Sequence, residues 1–79
     1  MEEQTLGQKR VKAEFNPSKT ELVDLIKNKS AELIDLLQSM KPVGSAAEIF
    51  GSEKIRLIDI AQTEIETACM YGVKANFTE

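Results

Sequence analysis

The sequence predicts an all-α protein: a short N-terminal arm, then two long antiparallel helices with a short helical turn between them, assembled as an oligomer. Three observations predict it. Apolar residues recur at threes and fours along two long segments, and helix-start and helix-stop residues bracket both segments. No β-hairpin signature, internal repeat or low-complexity stretch interrupts them. The 79 residues make a single domain, divided into an arm (1–17) and a helical oligomerisation and ligand-binding part (18–79).

Asn16-Pro17-Ser18 closes an arm read as irregular. Pro17 is barred from a helix interior but suits a first turn. Ser18 and Glu21 form a capping-box pattern, in which the two side chains satisfy orphan backbone N–H groups reciprocally. The first long helix follows to Met40, with a stripe of Leu22, Leu25, Ile26, Leu33, Leu36, Leu37 and Met40 that Lys27, Asn28, Lys29 and Ser30 interrupt midway. Lys41-Pro42-Val43-Gly44 stops it. Ser45 with Glu48 is a second capping-box pattern, enough for one turn that Gly51 ends. Ser52 then caps the second long helix, which runs to about Lys74 on a stripe of Ile55, Ile58, Ala61, Ile65, Ala68 and Gly72.

A chain this small buries only ~60–65% of its unfolded surface and normally needs a staple. Cys69 is the single cysteine and histidine is absent, so an intrachain disulfide, a histidine-ligated structural zinc and any Ser-His-Asp or Cys-His catalytic set are excluded within the chain. Oligomerisation is the staple that remains. Val23, Leu25, Ile34 and Leu36 widen the first stripe beyond what one partner helix covers, and each would gain ~1.5–3 kcal/mol by facing another chain.

Net charge −3 argues against a general binder of long nucleic acid. The charge is uneven, however: residues 7–29 hold six bases against three acids, and residues 30–79 hold four bases against eight acids. A small anion therefore finds a local home in the first third. No apolar run approaches a membrane span, the acidic start is wrong for a signal peptide, and a lone cysteine fits a reducing cytosol.

Catalysis has little support. Glu64 and Glu66 point to different sides of a helix, and no P-loop, dinucleotide fingerprint or Ser-centred elbow occurs. Gly44-Ser45 reads as a loop and cap, Cys69 as an inert buried thiol, and Tyr71 and Phe77 as terminal helix packing. Phe15 and Lys27 are better candidates. An aromatic beside the cations Lys9, Arg10 and Lys12 offers a nucleotide a stacking face and charge for its phosphate. The competing reading of Phe15 is a hydrophobic staple onto Leu22 or a partner chain, and that of Lys27 and Lys29 is a solvated face.

These residues form a pattern: Gly7-Gln8-Lys9-Arg10, Phe15, a capped helix reaching Ile26-Lys27, then Arg56-Leu57-Ile58-Asp59-Ile60-Ala61-Gln62-Thr63 and Met70-Tyr71-Gly72-Val73-Lys74-Ala75. Over roughly residues 6–77 the chain resembles the small phage proteins that sequester cyclic nucleotide signals of bacterial immunity. These are the anti-CBASS sponges, which share a domain with the first class of anti-Thoeris sponges. The resemblance implies helical hexamers with pockets between protomers. It also implies binding, without cleavage, of cyclic dinucleotides and in some members of cyclic trinucleotides at separate sites or cyclic ADP-ribose isomers. The family's base-stacking tyrosine and phosphate-binding lysine match Phe15 and Lys27. Phenylalanine keeps the stacking ring and loses the hydroxyl, and the chain between the two positions is shorter than in the family. Arg10, Lys12, Lys29 and Arg56 complete the candidate ligand-binding set.

The reading carries no catalytic residue, metal or cofactor. Its partners are a cyclic di- or trinucleotide and further copies of the chain, with neither long nucleic acid nor membrane, in the host bacterial cytoplasm. A helical dimerisation module acting on a protein partner, such as an adaptor or antitoxin, would use the same stripes without a small ligand. A small enzyme opening cyclic nucleotides is the third reading, and nothing in the sequence supplies its base or metal.

Overall fold

The computed structural model describes residues 3–16 and 20–79, and the side chains of all of these but 46–50. It consists of α1 (Leu6–Val11), α2 (Glu21–Ser39) and α3 (Ser45–Asn76), with no strand among the described residues. α2 and α3 run antiparallel. Lys41, just past the end of α2, pairs with Asp59 at 2.7 Å, while Gly72 far along α3 lies against Ile26 near the start of α2.

The arm is not irregular, because it carries α1. Thr5 caps that helix in a capping box: its hydroxyl accepts from the Gln8 N–H at 3.1 Å, and Gln8 Oε1 accepts from the Thr5 N–H at 2.8 Å. Lys12 ends it in the left-handed conformation, φ 54° and ψ 55°, while the Ala13 N–H reaches back to the Gln8 carbonyl at 2.9 Å. That is a Schellman closure built on a lysine where glycine is usual. α2 begins one residue after Thr20, which makes no side-chain cap. The expected Ser18–Glu21 box lies outside the described residues.

α3 is a second correction. One helix runs unbroken from Ser45 through Gly51 and Ser52, so Gly51 ends nothing and Ser52 caps nothing. A helix-interior glycine costs only about 1 kcal/mol against alanine, which the rest of a 32-residue helix readily offsets. Gly44, at φ 63°, takes the N-cap position, so Ser45 is the first helical residue and does not cap.

The core is also rearranged. Val11, Ala31, Ile34 and Cys69 form the buried cluster, with Ala13, Ile26 and Ile65 packed against it; Val23 and Ile58 are buried nearby. Val23 and Ile34, expected to face another chain, are thus intrachain core. Leu22, Leu25, Leu33, Leu36 and Met40 are exposed instead. Periodicity finds two apolar stripes on α2 but not which one the chain itself covers; α1 and α3 together cover the Val23-Lys27-Ala31-Ile34 side. Gln62, 1% exposed, fixes α3 to α2 by donating to the Ile34 carbonyl and to Gln38 Oε1, both at 3.1 Å. The result is thin, with extents of 48 × 32 × 12 Å.

Candidate functional site

A cleft of about 480 Å³ opens where α1 bridges the other two helices. Gly7 makes the bridge possible. It lies so close to α2 that a Cβ would meet the Ala31 carbonyl oxygen at 2.1 Å, and its N–H donates to Asp35 Oδ1 at 2.7 Å. Three residues on, Arg10 ties α1 to α3, with Nε donating to Glu66 Oε1 at 3.2 Å and Nη2 to Thr63 Oγ1 at 3.3 Å. Val11, Cys69, Met70 and Val73 give the cleft an apolar wall, and Arg10, Lys12, Lys27 and Glu66 line it with charge.

Lys27 is not on a solvated face. It is 7% exposed, and its ammonium donates to the Lys12 carbonyl at 3.0 Å and to the Phe15 carbonyl. The turn after α1 folds round this ammonium, because the left-handed Lys12 aims its carbonyl inward and the Phe15 N–H also binds that carbonyl, at 2.9 Å. Two of three ammonium donors are thereby used. The Phe15 ring sits over the same nitrogen, 5.3 Å from centroid to Nζ, in cation–π range. No carboxylate among the described residues pairs with Lys27. A buried cation held only by carbonyl dipoles and a ring face still lacks a counter-charge.

Phe15 itself is 64% exposed, so within the chain it is no staple on Leu22, which is exposed too. Beside it a shallower hollow of about 390 Å³ is lined by Gln4, Lys9, Lys12, Glu14 and Phe15. Lys12 borders both hollows. It stands in a backbone conformation that costs a non-glycine residue roughly 1–2 kcal/mol. Lys12→Gly should therefore raise the melting temperature by a few degrees while weakening binding of a nucleotide anion roughly 3- to 10-fold, read by calorimetry on both variants. A glycine variant that gained stability at full affinity would remove Lys12 from the site.

Four of the six sequence candidates, Arg10, Lys12, Phe15 and Lys27, are brought together. Lys29 and Arg56 are not. Lys29 is exposed on another side of α2 from Lys27. Arg56 lies ~20 Å before Cys69 along α3 at ~1.5 Å per residue, and donates to Glu53 Oε2 at 3.1 Å. That hydrogen bond holds the Glu53 carboxyl below its ordinary pKa. Of the α3 walls, Glu66 has no second converging carboxylate and Cys69 no nearby base in the sequence, so neither reads there as a site residue, and Met70 and Val73 enter there only within the motif that carries the resemblance. Their signal is the Gly7 and Arg10 spacing that lays α1 across them. Among the described residues no group of acidic or sulfur side chains converges as a metal site would require, and no helix is long and apolar enough to cross a membrane.

The family model of the Acb2/Tad1 hairpin domain matches residues 7–77, nearly the whole chain. The chain belongs to that family. The Acb2/Tad1 hairpin family comprises phage anti-defence sponges, which bind cyclic nucleotides rather than turn them over. No curated protein and no solved structure matches the chain significantly. In this member of the family the Gly7-Gln8-Lys9-Arg10 segment is the docking helix: Gly7 allows contact, Gln8 caps, and Arg10 bridges to α3. Asp59, Gln62 and Thr63 of the second motif each tie α3 to a neighbouring element.

Proposed function

We propose that this chain is a phage-type sponge that binds and sequesters a cyclic dinucleotide, or a cyclic trinucleotide or cyclic ADP-ribose isomer, without cleaving it, countering CBASS or Thoeris defence in the host bacterial cytoplasm. The observation that carries the reading is the Lys27 ammonium: buried, free of any carboxylate among the described residues, and roofed by an exposed aromatic ring. A ring phosphate supplies the missing negative charge, and a charge-assisted contact to it is among the stronger hydrogen bonds available. The Phe15 face stacks a base, and Arg10 and Lys12 add positive potential at the mouth of the cleft. Membership of the sponge family supports the class of ligand. Pockets completed by neighbouring protomers, in a hexamer, are what the resemblance adds. Arg56 would reach a ligand only from a neighbour.

Sequestration requires that the ring come back unchanged. The protein is to be loaded from a panel of cyclic di- and trinucleotides, denatured, and the released ligand weighed; intact recovery fits a sponge, whereas linear product makes the chain an enzyme. Phe15→Ala tests the platform. Loss of one stacking face worth ~1–3 kcal/mol weakens capture roughly 5- to 150-fold, and the melting temperature barely moves because the ring is already mostly exposed. Phe15→Tyr keeps capture. Early melting of Phe15→Ala with full affinity would return the ring to a packing role.

A further inference from the structure

Beside the cations Arg10, Lys12 and Lys27, one carboxylate lines the cleft among the described residues, that of Glu66. A pocket shaped for phosphate alone is weakened by such a group, because it repels the anion that Lys27 attracts. Its place on α3 suggests another task. Met70 and Val73 follow Glu66 by four and seven residues, on the same face of the helix. The cleft is therefore two-sided: α1 and α2 bring the cations, and α3 brings an apolar strip with a carboxylate at its end.

Half of that carboxylate is committed. Oε1 accepts from Arg10 Nε at 3.2 Å, whereas Oε2 accepts no hydrogen bond among the described residues. The side chain is 42% exposed, so the free oxygen stays accessible from the cleft it lines. A carboxylate offers about four lone-pair sites, and Oε1 itself keeps one open.

We infer that Glu66 is a specificity-determining residue that reads guanine in one base position of the captured ring, an assignment that rests on the capture proposed above. A cyclic dinucleotide brings two bases. Phe15 borders the outer hollow and not this cleft, so its ring serves one of them. With the phosphate at Lys27, the other base lies along α3, its face on Met70 and Val73 and its edge at Glu66. The Met70 thioether suits an aromatic face. Edge chemistry then selects the base. Guanine presents an N1–H and an amino group side by side, two donors for two carboxylate oxygens. Adenine presents one amino donor beside the N1 lone pair, which sets an acceptor against the carboxylate.

Calorimetry with three cyclic dinucleotides, carrying two guanines, two hypoxanthines or two adenines, tests this on the native chain and on Glu66→Gln. Hypoxanthine differs from guanine only in lacking the amino group. The native chain should bind the guanine ring at least ~5-fold tighter than either of the others, the lower end of what a bidentate base contact contributes. Glutamine keeps an oxygen for Arg10 but exchanges an acceptor for a donor, and a donor beside an acceptor complements adenine. The variant should therefore reverse the order of guanine and adenine. A role in seating α1 alone would instead weaken all three rings by one factor and keep their order, which overturns the assignment. A native chain that binds the three rings alike overturns it too, while leaving capture intact. The native comparison needs no variant, so misfolding of Glu66→Gln leaves the test standing. Silence towards all three rings also overturns the assignment, and capture itself falls only where the wider panel of cyclic ligands is silent as well.

Discussion

Lys27→Glu should abolish nucleotide capture and lower the melting temperature together. The sequence alone suggests a structurally silent swap, because Lys27 falls where α2 loses its apolar character. In the fold its ammonium is buried and holds the Lys12 and Phe15 carbonyls. A carboxylate there faces those two carbonyl dipoles without a donor, and an uncompensated buried charge costs about 3–5 kcal/mol. At a ring phosphate the same swap replaces attraction by repulsion, so affinity should fall by more than ~1,000-fold. Lys27→Met separates the two effects. It keeps the aliphatic stem and removes only the donors, so stability should fall by ~1–3 kcal/mol and affinity by roughly 10- to 150-fold. Thermal melts and calorimetry on both variants check this. A methionine variant that melts early but captures fully would make Lys27 a scaffold for the turn and nothing more.

Gly7→Ala should have the second-largest effect, from a single methyl group. The three atoms nearest the new Cβ all belong to the Ala31 backbone, at 2.1, 2.7 and 2.8 Å, so no side-chain rotation makes room. α1 must lift away. A six-residue helix does not persist unsupported. Its undocking loses the burial of Val11, the Gly7–Asp35 hydrogen bond and the Arg10 bridge, in all about 3 kcal/mol. For a chain of this length that lowers the melting temperature by roughly 10–20 °C. Lys12 and Phe15 follow directly after α1, so capture should vanish as well. Amide hydrogen exchange should show protection lost in 6–15 and kept in the centres of α2 and α3. An alanine variant that melts with the native chain would mean that α1 is not seated on Ala31.

The helical class, the two long antiparallel helices and the stop at residues 41–44 were legible in the sequence because each rests on local signals: spacing of three and four, a proline and a glycine. α1 is not legible there, although Thr5 and Gln8 carry the same capping pattern as Ser18 with Glu21 and Ser45 with Glu48. Six residues hold too little periodicity to register as a helix, and only tertiary docking makes this one stable. Gly51 misled for the opposite reason, since a local break signal was outweighed by the helix on both sides. The cleft was half legible. Arg10, Lys12, Phe15 and Lys27 cluster near the N-terminus and announce themselves by charge and aromaticity, whereas Glu66, Cys69, Met70 and Val73 join them only once α1 has crossed to α3. Lys29 and Arg56 show the limit of charge as a guide, because a lysine two residues from Lys27 points to another side of the same helix.

The most direct test of the proposed capture is a calorimetric titration of the native chain with a cyclic dinucleotide, set beside its linear counterpart carrying the same bases. A preorganised ring meets Lys27 and the Phe15 face with less entropy to lose, so saturable, stoichiometric heat is expected from the cyclic ligand and much weaker binding from the linear one. No heat from any member of a panel of cyclic dinucleotides, cyclic trinucleotides and cyclic ADP-ribose isomers would contradict it, and would favour a role through a protein partner.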